Sequence, residues 1–108
     1  MTIHSGDFTV DDNIKTQLEA AAFKRLVHHF QTHTDVQNID LMLLADFCRN
    51  CLAKWYVEAA KDQDVEITYE QAREMIYGMP YKEWQTKYQR EATPEQLAAF
   101  EDKMKAKL

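Results

Sequence analysis

The sequence predicts an all-α protein, a compact bundle of four to five helices around a buried central helix. Its 108 residues include only two glycines and two prolines, too few for the many turns of a β-sandwich or barrel. Apolar residues make up 45% of the chain, an ordinary share for a globular protein. We therefore expect a single helical domain over residues 11–108, preceded by an N-terminal arm, residues 1–10.

The first predicted helix is long and amphipathic and covers residues 13–31. Asp11 and Asp12 are the cap candidates, because a short acidic side chain accepts hydrogen bonds from the free N–H groups of a first turn. Apolar residues recur at the helical period and fill one broad arc of this helix. His29 projects near the middle of that arc, and His33 lies close to the predicted end.

The second predicted helix covers residues 36–61 and is the expected centre of the bundle. It follows a capping-box pattern, with Thr34 as the N-cap and Gln37 at the third helical position. The first half of this helix is apolar nearly all round. A helix that is apolar on every side is normally buried, so we expect it to lie in the core.

Three shorter helices complete the prediction. A capping box at residues 68–71 starts the third, residues 69–77, and Gly78 ends it because glycine readily adopts the left-handed conformation that follows a helix. A short fourth helix rich in aromatic residues follows. Another capping box at residues 93–96, with proline at the first helical position, starts the last helix, residues 94–107.

Charge and hydropathy limit the partners and the location. The formal net charge is −5, which disfavours generic binding to nucleic acid. No apolar run approaches the ~18 residues of a membrane helix, and the first residues lack the pattern of a secretory signal. We therefore expect no membrane partner, a cytoplasmic location and reduced cysteines.

Two cysteines and two histidines form the candidate metal site. Cys48 and Cys51 are three residues apart, so a helix would place both thiols on one face. His29 and His33 are four apart on the preceding helix. Two thiolates and two imidazoles are a common ligand set for a zinc-like divalent metal, which would tie the two longest helices together. The alternative is that the cysteines pack as small apolar residues in the core.

The same groups define the enzyme hypothesis. A metal- or thiol-dependent enzyme could use Cys48, Cys51 and His29 in an accessible pocket. Redox chemistry is disfavoured, because Cys48 is predicted well inside its helix, away from the N-terminus that would lower a thiol pKa. We expect buried, inert thiols and no catalytic apparatus.

The polar segment before the second helix is a further candidate site. Asp35, Asn38 and Asp40 could bind a hard cation through their oxygen atoms. Helix capping and turn formation explain the same residues, and we favour that interpretation.

Aromatic residues gather in the second half of the chain. We expect them mainly in the core, while a partly exposed group would indicate a protein partner or self-association as a homodimer. The residues concerned are Trp55, Tyr56, Tyr77, Tyr81, Trp84 and Tyr88.

Three separated segments together resemble a family of short bacterial proteins catalogued as domain of unknown function 1244. They are residues 34–42, residues 47–52 with Trp55 and Tyr56, and residues 77–81 with Trp84. The resemblance extends from about residue 20 to residue 88 and implies an all-helical domain without an established activity. It also implies arginine at the position of His33, which leaves Asp40 as the substitute metal ligand.

The sequence therefore predicts a small binding or regulatory module. A metal clip of Cys48, Cys51 and His29 is its most specific form. The alternatives are the metal- or thiol-dependent enzyme and a structural protein that acts as a homodimer.

Overall fold

The computed structural model describes residues 10–107, and this part of the chain contains six α-helices and no β-strand. The predicted all-α class is confirmed, with six helices in place of four or five. The predicted arm, residues 1–10, lies outside the described residues except for Val10. None of the described helices is long and apolar enough to cross a membrane. In chain order the helices are α1 (Asp12–Thr32), α2 (Asn38–Ala45), α3 (Arg49–Asp62), α4 (Tyr69–Tyr77), α5 (Tyr81–Tyr88) and α6 (Pro94–Lys105).

Local sequence signals set most of the helix ends. The Asp11 side chain accepts a hydrogen bond from the backbone N–H of Asn13 and caps α1. Thr68 and Thr93 cap α4 and α6 in complete capping boxes. The predictions for these three helix starts are confirmed, because each depends on residues within one turn of the helix end.

Gly78 ends α4 and also allows close contact with α1. Its φ of 77° lies in the left-handed region that favours glycine. The Gln31 side chain donates hydrogen bonds to the carbonyls of Met75 and Ile76, which α4 leaves free at its C-terminus. A Cβ atom at Gly78 would lie 3.0 Å from Cδ of Gln31. The glycine therefore serves both the turn and the packing of α1 against α4.

The predicted helix over residues 36–61 is wrong, because the chain breaks between Ala45 and Arg49. Asp46 adopts a left-handed conformation with φ of 62°, and Cys48 is extended, with φ of −147° and ψ of −175°. The expectation of a buried central helix fails with it. No residue of α2 is buried, and Leu44 is 84% exposed.

Two lysines, one in α6 and one just after it, account for the end of α2. Lys103 Nζ donates a hydrogen bond to the carbonyl of Leu43 at 2.7 Å and lies 3.2 Å from the Asp46 carboxylate. Lys107 Nζ lies 3.1 Å from the same carboxylate. Cations at a helix C-terminus satisfy free carbonyls and oppose the negative end of the helix dipole. A distant element thus stabilises a break that the local pattern does not indicate.

The start of α2 also differs from the prediction. The N-cap is Gln37 in place of Thr34, and the third helical position is Asp40, whose Oδ2 accepts from the Gln37 N–H at 3.1 Å. The Gln37 side chain is held elsewhere, by hydrogen bonds to the backbone of Tyr88 and Arg90. These long-range bonds explain why the capping pattern moves three residues along the chain.

The core lies between α3 and α4 and is closed by aromatic residues from α1 and α5. The predicted core position is confirmed for Tyr77 and Trp84, whereas Trp55 is 52% exposed. The buried cluster consists of Phe30, Leu52, Ala53, Ala72, Ile76, Tyr77 and Trp84.

The molecule is elongated for its size. Its radius of gyration is 16.9 Å, whereas a chain of this length typically packs to about 13 Å. The principal extents are 51 × 30 × 28 Å. In the first half of α1, every residue from Asp12 to Ala22 except Lys15 is exposed. The N-terminal half of α1 therefore contributes little to the core.

Candidate functional site

A cavity of about 430 Å³ with both polar and apolar walls lies where the three resembling segments meet. Residues at the start of α2, in α3, α5 and α6, and in the connection between α5 and α6 form its walls. This volume falls in the range of small-molecule sites, ~300–1,000 Å³. The lining residues are Gln37, Asn38, Ile39, Asn50, Tyr81, Trp84, Gln89, Arg90, Glu91, Ala92 and Leu97.

A chain of hydrogen bonds connects two lining residues of this cavity through buried side chains behind its wall. Arg49 Nη1 donates to Oδ1 of Asn38 at 3.1 Å, and Asn38 Nδ2 donates to the Tyr77 hydroxyl at 2.9 Å. That hydroxyl donates to Oδ1 of Asn50 at 2.7 Å. We call these four residues the relay.

Arg49 sets the direction of the relay, because a guanidinium group can only donate. Asn38 must present its oxygen to Arg49 and its NH₂ to Tyr77. The Tyr77 hydroxyl then donates to the oxygen of Asn50. The Asn50 NH₂ group has no acceptor within residues 10–107, and Asn50 lines the cavity. It is therefore a donor available to a ligand.

Burial keeps the Tyr77 hydroxyl protonated. Tyr77 is 2% exposed, and burial raises its pKa far above the ordinary value because the phenolate would lose its hydration. The hydrogen bond from Asn38 acts in the opposite direction but is the smaller effect. Tyr77 therefore donates at any physiological pH, as the direction of the relay requires.

Arg49 is the buried anchor of the site and is 1% exposed. It donates to the carbonyls of Phe30 and His33 at the C-terminus of α1 and to that of Val36. Its guanidinium carbon lies 5.1 Å from the Phe30 ring centre and 4.9 Å from that of Trp84. Burial lowers its pKa, yet the carbonyl oxygens and ring faces replace the lost hydration of the cation.

Gln37 closes the cavity from the side of α5. It is 7% exposed, donates to the carbonyl of Tyr88 at 3.1 Å, and accepts from the N–H of Arg90 at 2.8 Å. Asp40 joins α2 to α6, because its Oδ1 accepts from Gln96 Nε2 at 2.7 Å. These contacts position the segment that carries Arg90 and Glu91 at the rim.

A family model described as a protein of unknown function (DUF1244) matches residues 36–102. The chain belongs to this family. The resemblance drawn from the three segments is confirmed, and the matched range contains the whole relay and both cysteines. The model begins after α1, so His29 and His33 lie outside it. No curated protein matches the chain.

The structure does not bring the predicted metal ligands together. His29 and His33 are exposed near the end of α1, with ring centres 3.9 Å apart. Cys48 is buried and Cys51 partly buried at the start of α3. Over residues 10–107, no group of three or more His, Cys, Asp and Glu side chains could hold a metal ion. The four-ligand clip has no support from this geometry, and the family assignment does not test it.

The oxygen-ligand alternative also lacks a common centre. Asn38 contributes both ends of its amide to the relay, and each oxygen of the Asp40 carboxylate accepts a hydrogen bond. Asp35 is exposed. The favoured interpretation of this segment, capping and turn formation, agrees with these contacts.

Both cysteines lie in the first turn of α3, and their predicted place inside a long helix is wrong. Cys48 is the N-cap and Cys51 the third helical residue. Burial raises the pKa of the Cys48 thiol, and the backbone N–H groups of Cys51 and Asn50 only partly oppose this. The reason given for excluding redox chemistry, distance from a helix N-terminus, therefore does not apply.

Sequence analysis missed Arg49, Asn50 and the Tyr77 hydroxyl as site residues. One signal was present: Arg49 and Asn50 interrupt a stretch predicted to be buried. A buried arginine needs several acceptors, so its presence there indicates a polar cluster.

Proposed function

We propose that this protein binds a small neutral molecule carrying an amide or carbonyl group in the relay cavity. The observation that supports it is Asn50, whose oxygen is held by the relay, whose NH₂ group has no acceptor among the described residues, and which lines a cavity of suitable volume. The family assignment is neutral on this point, because the family has no established activity.

The rest of the lining suits such a ligand. Ile39 and Leu97 provide apolar surface, and the largely buried Trp84 closes the cavity on one side. Arg90 and Glu91 lie together at the rim, so their opposite charges leave little net preference for an anion or a cation. A donor beside apolar walls favours a carbonyl oxygen attached to a small apolar body.

N-acetyl-leucine amide is a suitable probe, because it has two carbonyl groups and an apolar side chain. NMR titration of the ¹⁵N-labelled protein should shift the side-chain signals of Asn50 and Trp84 at probe concentrations that leave other regions unchanged. Absence of binding by this probe and by other N-acetyl amino acid amides would contradict the proposal.

Asn50→Asp is the decisive variant, because it keeps an oxygen for the Tyr77 hydroxyl, replaces the NH₂ donor by a second oxygen and adds one negative charge. We expect about tenfold weaker binding, the effect of losing one hydrogen bond of ~1.4 kcal/mol. Asn13→Asp adds the same charge on the exposed part of α1, outside the cavity lining, and should bind as the original chain does. Equal affinity in Asn50→Asp would refute the role of Asn50.

A second candidate is reversible thiol–disulfide exchange, favoured by the two cysteines in one helical turn. The more accessible Cys51 thiolate would attack a small disulfide such as oxidised glutathione and release one thiol. Cys48, once deprotonated, would attack the Cys51 sulfur, form the internal disulfide and release the second thiol. Mass spectrometry after equilibration with oxidised glutathione should show the loss of two hydrogen atoms, and Cys51→Ser should not.

A further inference from the structure

Two exposed histidines lie together at the C-terminal end of α1. His29 belongs to the last turn of the helix, and His33, four residues later, is its C-cap. Their rings stack with centres 3.9 Å apart and planes inclined by 25°. Both side chains are exposed, so dissolved ions can reach them. The end of α1 therefore presents two imidazoles, the commonest metal ligands in proteins, at one point of the surface.

Hydrogen bonds determine which ring nitrogen His33 offers to a ligand. Its Nδ1 lies 2.7 Å from the carbonyl oxygen of His29. A carbonyl oxygen only accepts hydrogen bonds, so Nδ1 must carry the hydrogen. The Thr32 hydroxyl donates to the same carbonyl at 3.0 Å and lies 3.2 Å from Nδ1. In the neutral ring the lone pair is then on Nε2, the arrangement of a metal-bound histidine whose other nitrogen donates to a carbonyl.

The His29 ring is free to complete a chelate. It forms no hydrogen bond among residues 10–107, and it is exposed, so it can turn without losing a contact of that kind. Two nitrogens that bind one tetrahedral zinc ion at ~2.0–2.1 Å lie roughly 3.4 Å from each other. The ring centres are already 3.9 Å apart, so a small rotation of the rings separates the stack into a chelate.

The chemistry of the pair selects the class of ion. Both donors are nitrogens, and no group of three or more His, Cys, Asp and Glu side chains in the described part of the chain adds a carboxylate. Charge does not favour a cation here, because Arg49 donates to the His33 carbonyl at 2.9 Å and Arg25 lies one turn before His29. Binding must come from the metal–nitrogen bonds, which suit zinc, nickel and copper and not the oxygen-preferring magnesium and calcium.

We propose that His29 and His33 form a two-histidine site for a divalent first-row transition metal such as Zn²⁺ or Ni²⁺. Water completes the coordination, and neither cysteine takes part. The site lies outside the lining of the relay cavity, so it does not depend on the function proposed for that cavity. Two protein ligands in place of the four of a structural zinc site predict a reversible affinity in the micromolar range.

NMR of the histidine rings tests the site directly. Zn²⁺ added to the ¹⁵N-labelled full chain at pH 7.5 should shift the ring nitrogen signals of His29 and His33 and saturate at one ion per chain. The signals of His28, an exposed histidine next to the pair, should stay unchanged. Mg²⁺ at the same concentration should shift none of them. No shift at millimolar Zn²⁺, or an equal shift of His28, would overturn the proposal.

Calorimetric titration with Zn²⁺ tests the ligands one by one. His33→Gln and His29→Gln should each weaken binding at least about tenfold, because changes even in the groups that support a ligand cost that much. His28→Gln is the matched control and should bind as the original chain does. Cys51→Ser should also bind normally, and circular dichroism should show equal helix content in all variants. Unchanged affinity in His33→Gln, or a tenfold loss in Cys51→Ser, would contradict the two-histidine site.

Discussion

At the scale of the residue, the Tyr77 hydroxyl decides how the cavity wall is held. It accepts from Asn38 and donates to Asn50, and its burial keeps it protonated. One hydroxyl group in this position therefore forms hydrogen bonds with the side-chain amides of both asparagines. Its loss leaves the Asn38 NH₂ group and the Asn50 oxygen without this hydrogen-bond partner.

Tyr77→Phe should destabilise the protein by about 1–3 kcal/mol, the cost of leaving buried polar groups unpaired. Urea unfolding followed by circular dichroism measures this difference. Tyr56→Phe is the matched control, because no hydrogen bond of the Tyr56 hydroxyl occurs within the described range, and it should change stability little. An equal decrease in the free energy of unfolding in the two variants would show that the hydrogen bonds of the relay do not stabilise the protein specifically.

The two thiols should differ in reactivity. Cys48 is 7% exposed and burial raises its pKa, whereas Cys51 is only partly buried. N-ethylmaleimide at mildly alkaline pH should therefore modify Cys51 well before Cys48 in the native protein. Peptide mass spectrometry gives the two modification rates. In the unfolded chain the two cysteines should react at similar rates. Faster labelling of Cys48 would contradict the burial described here.

At the scale of the element, the end of α2 depends on charge. The lysine side chains of Lys107 and Lys103 lower the pKa of Asp46. Because folding lowers this pKa, the ionised carboxylate stabilises the fold. The stabilisation is fully present when the pH is above the ordinary aspartate pKa of about 4. This stabilisation is lost as the pH falls through the lower value of the folded state.

Asp46→Asn should therefore lower the Tm at pH 7 and make no difference at a pH below the folded-state pKa of Asp46. Asparagine tolerates the left-handed conformation at this position, so the change removes mainly the charge. Asp64→Asn is a suitable control, because Asp64 also has a positive φ, 56°, and forms no ion pair among the described residues. Thermal unfolding at several pH values measures the difference in Tm between the variant and the original chain. A variant with a higher Tm at pH 7, or with the same difference in Tm at every pH, would contradict the prediction.

At the scale of the whole molecule, Arg49 joins elements that are distant in sequence. It binds the carbonyls at the end of α1, supports Asn38 at the start of α2 and packs on Trp84 of α5. One buried cation thereby orients three helices around the cavity.

Arg49→Lys should cost about 2–4 kcal/mol, because an ammonium group cannot reach four acceptors in two directions or stack between two rings. Denaturant unfolding of dilute protein measures the loss. Arg25→Lys, at an exposed position on α1, is the control and should be nearly neutral. A neutral Arg49→Lys would mean that the guanidinium does not hold the three helices together.

Much of the fold could be predicted because its signals are local. Asp11, Thr68 and Thr93 cap the helices they were expected to cap, and Gly78 ends α4 as expected. Each signal acts through backbone groups within one turn, so no knowledge of the other helices is needed.

The candidate site could be predicted only in part. The segments that form it were recognised, and the polar residues before α2 were identified, but their roles come from contacts between helices. Cys48 appeared to lie inside a helix because the residues from 36 to 61 are continuously helix-compatible. The break there depends on Lys103 of α6 and on Arg49 reaching back to α1.

The sequence by itself determined the all-α class, three helix starts and the end of α4, because these follow from hydrophobic period, caps and turn residues. It also indicated the family, through the resemblance of three separated segments. Only the tertiary structure decided the break before α3, the relay around Tyr77 and the separation of His29 from the cysteines. Hydrogen bonds and ion pairs between distant residues carry that information, and no local pattern along the chain encodes which acceptor a side chain such as Arg49 will reach.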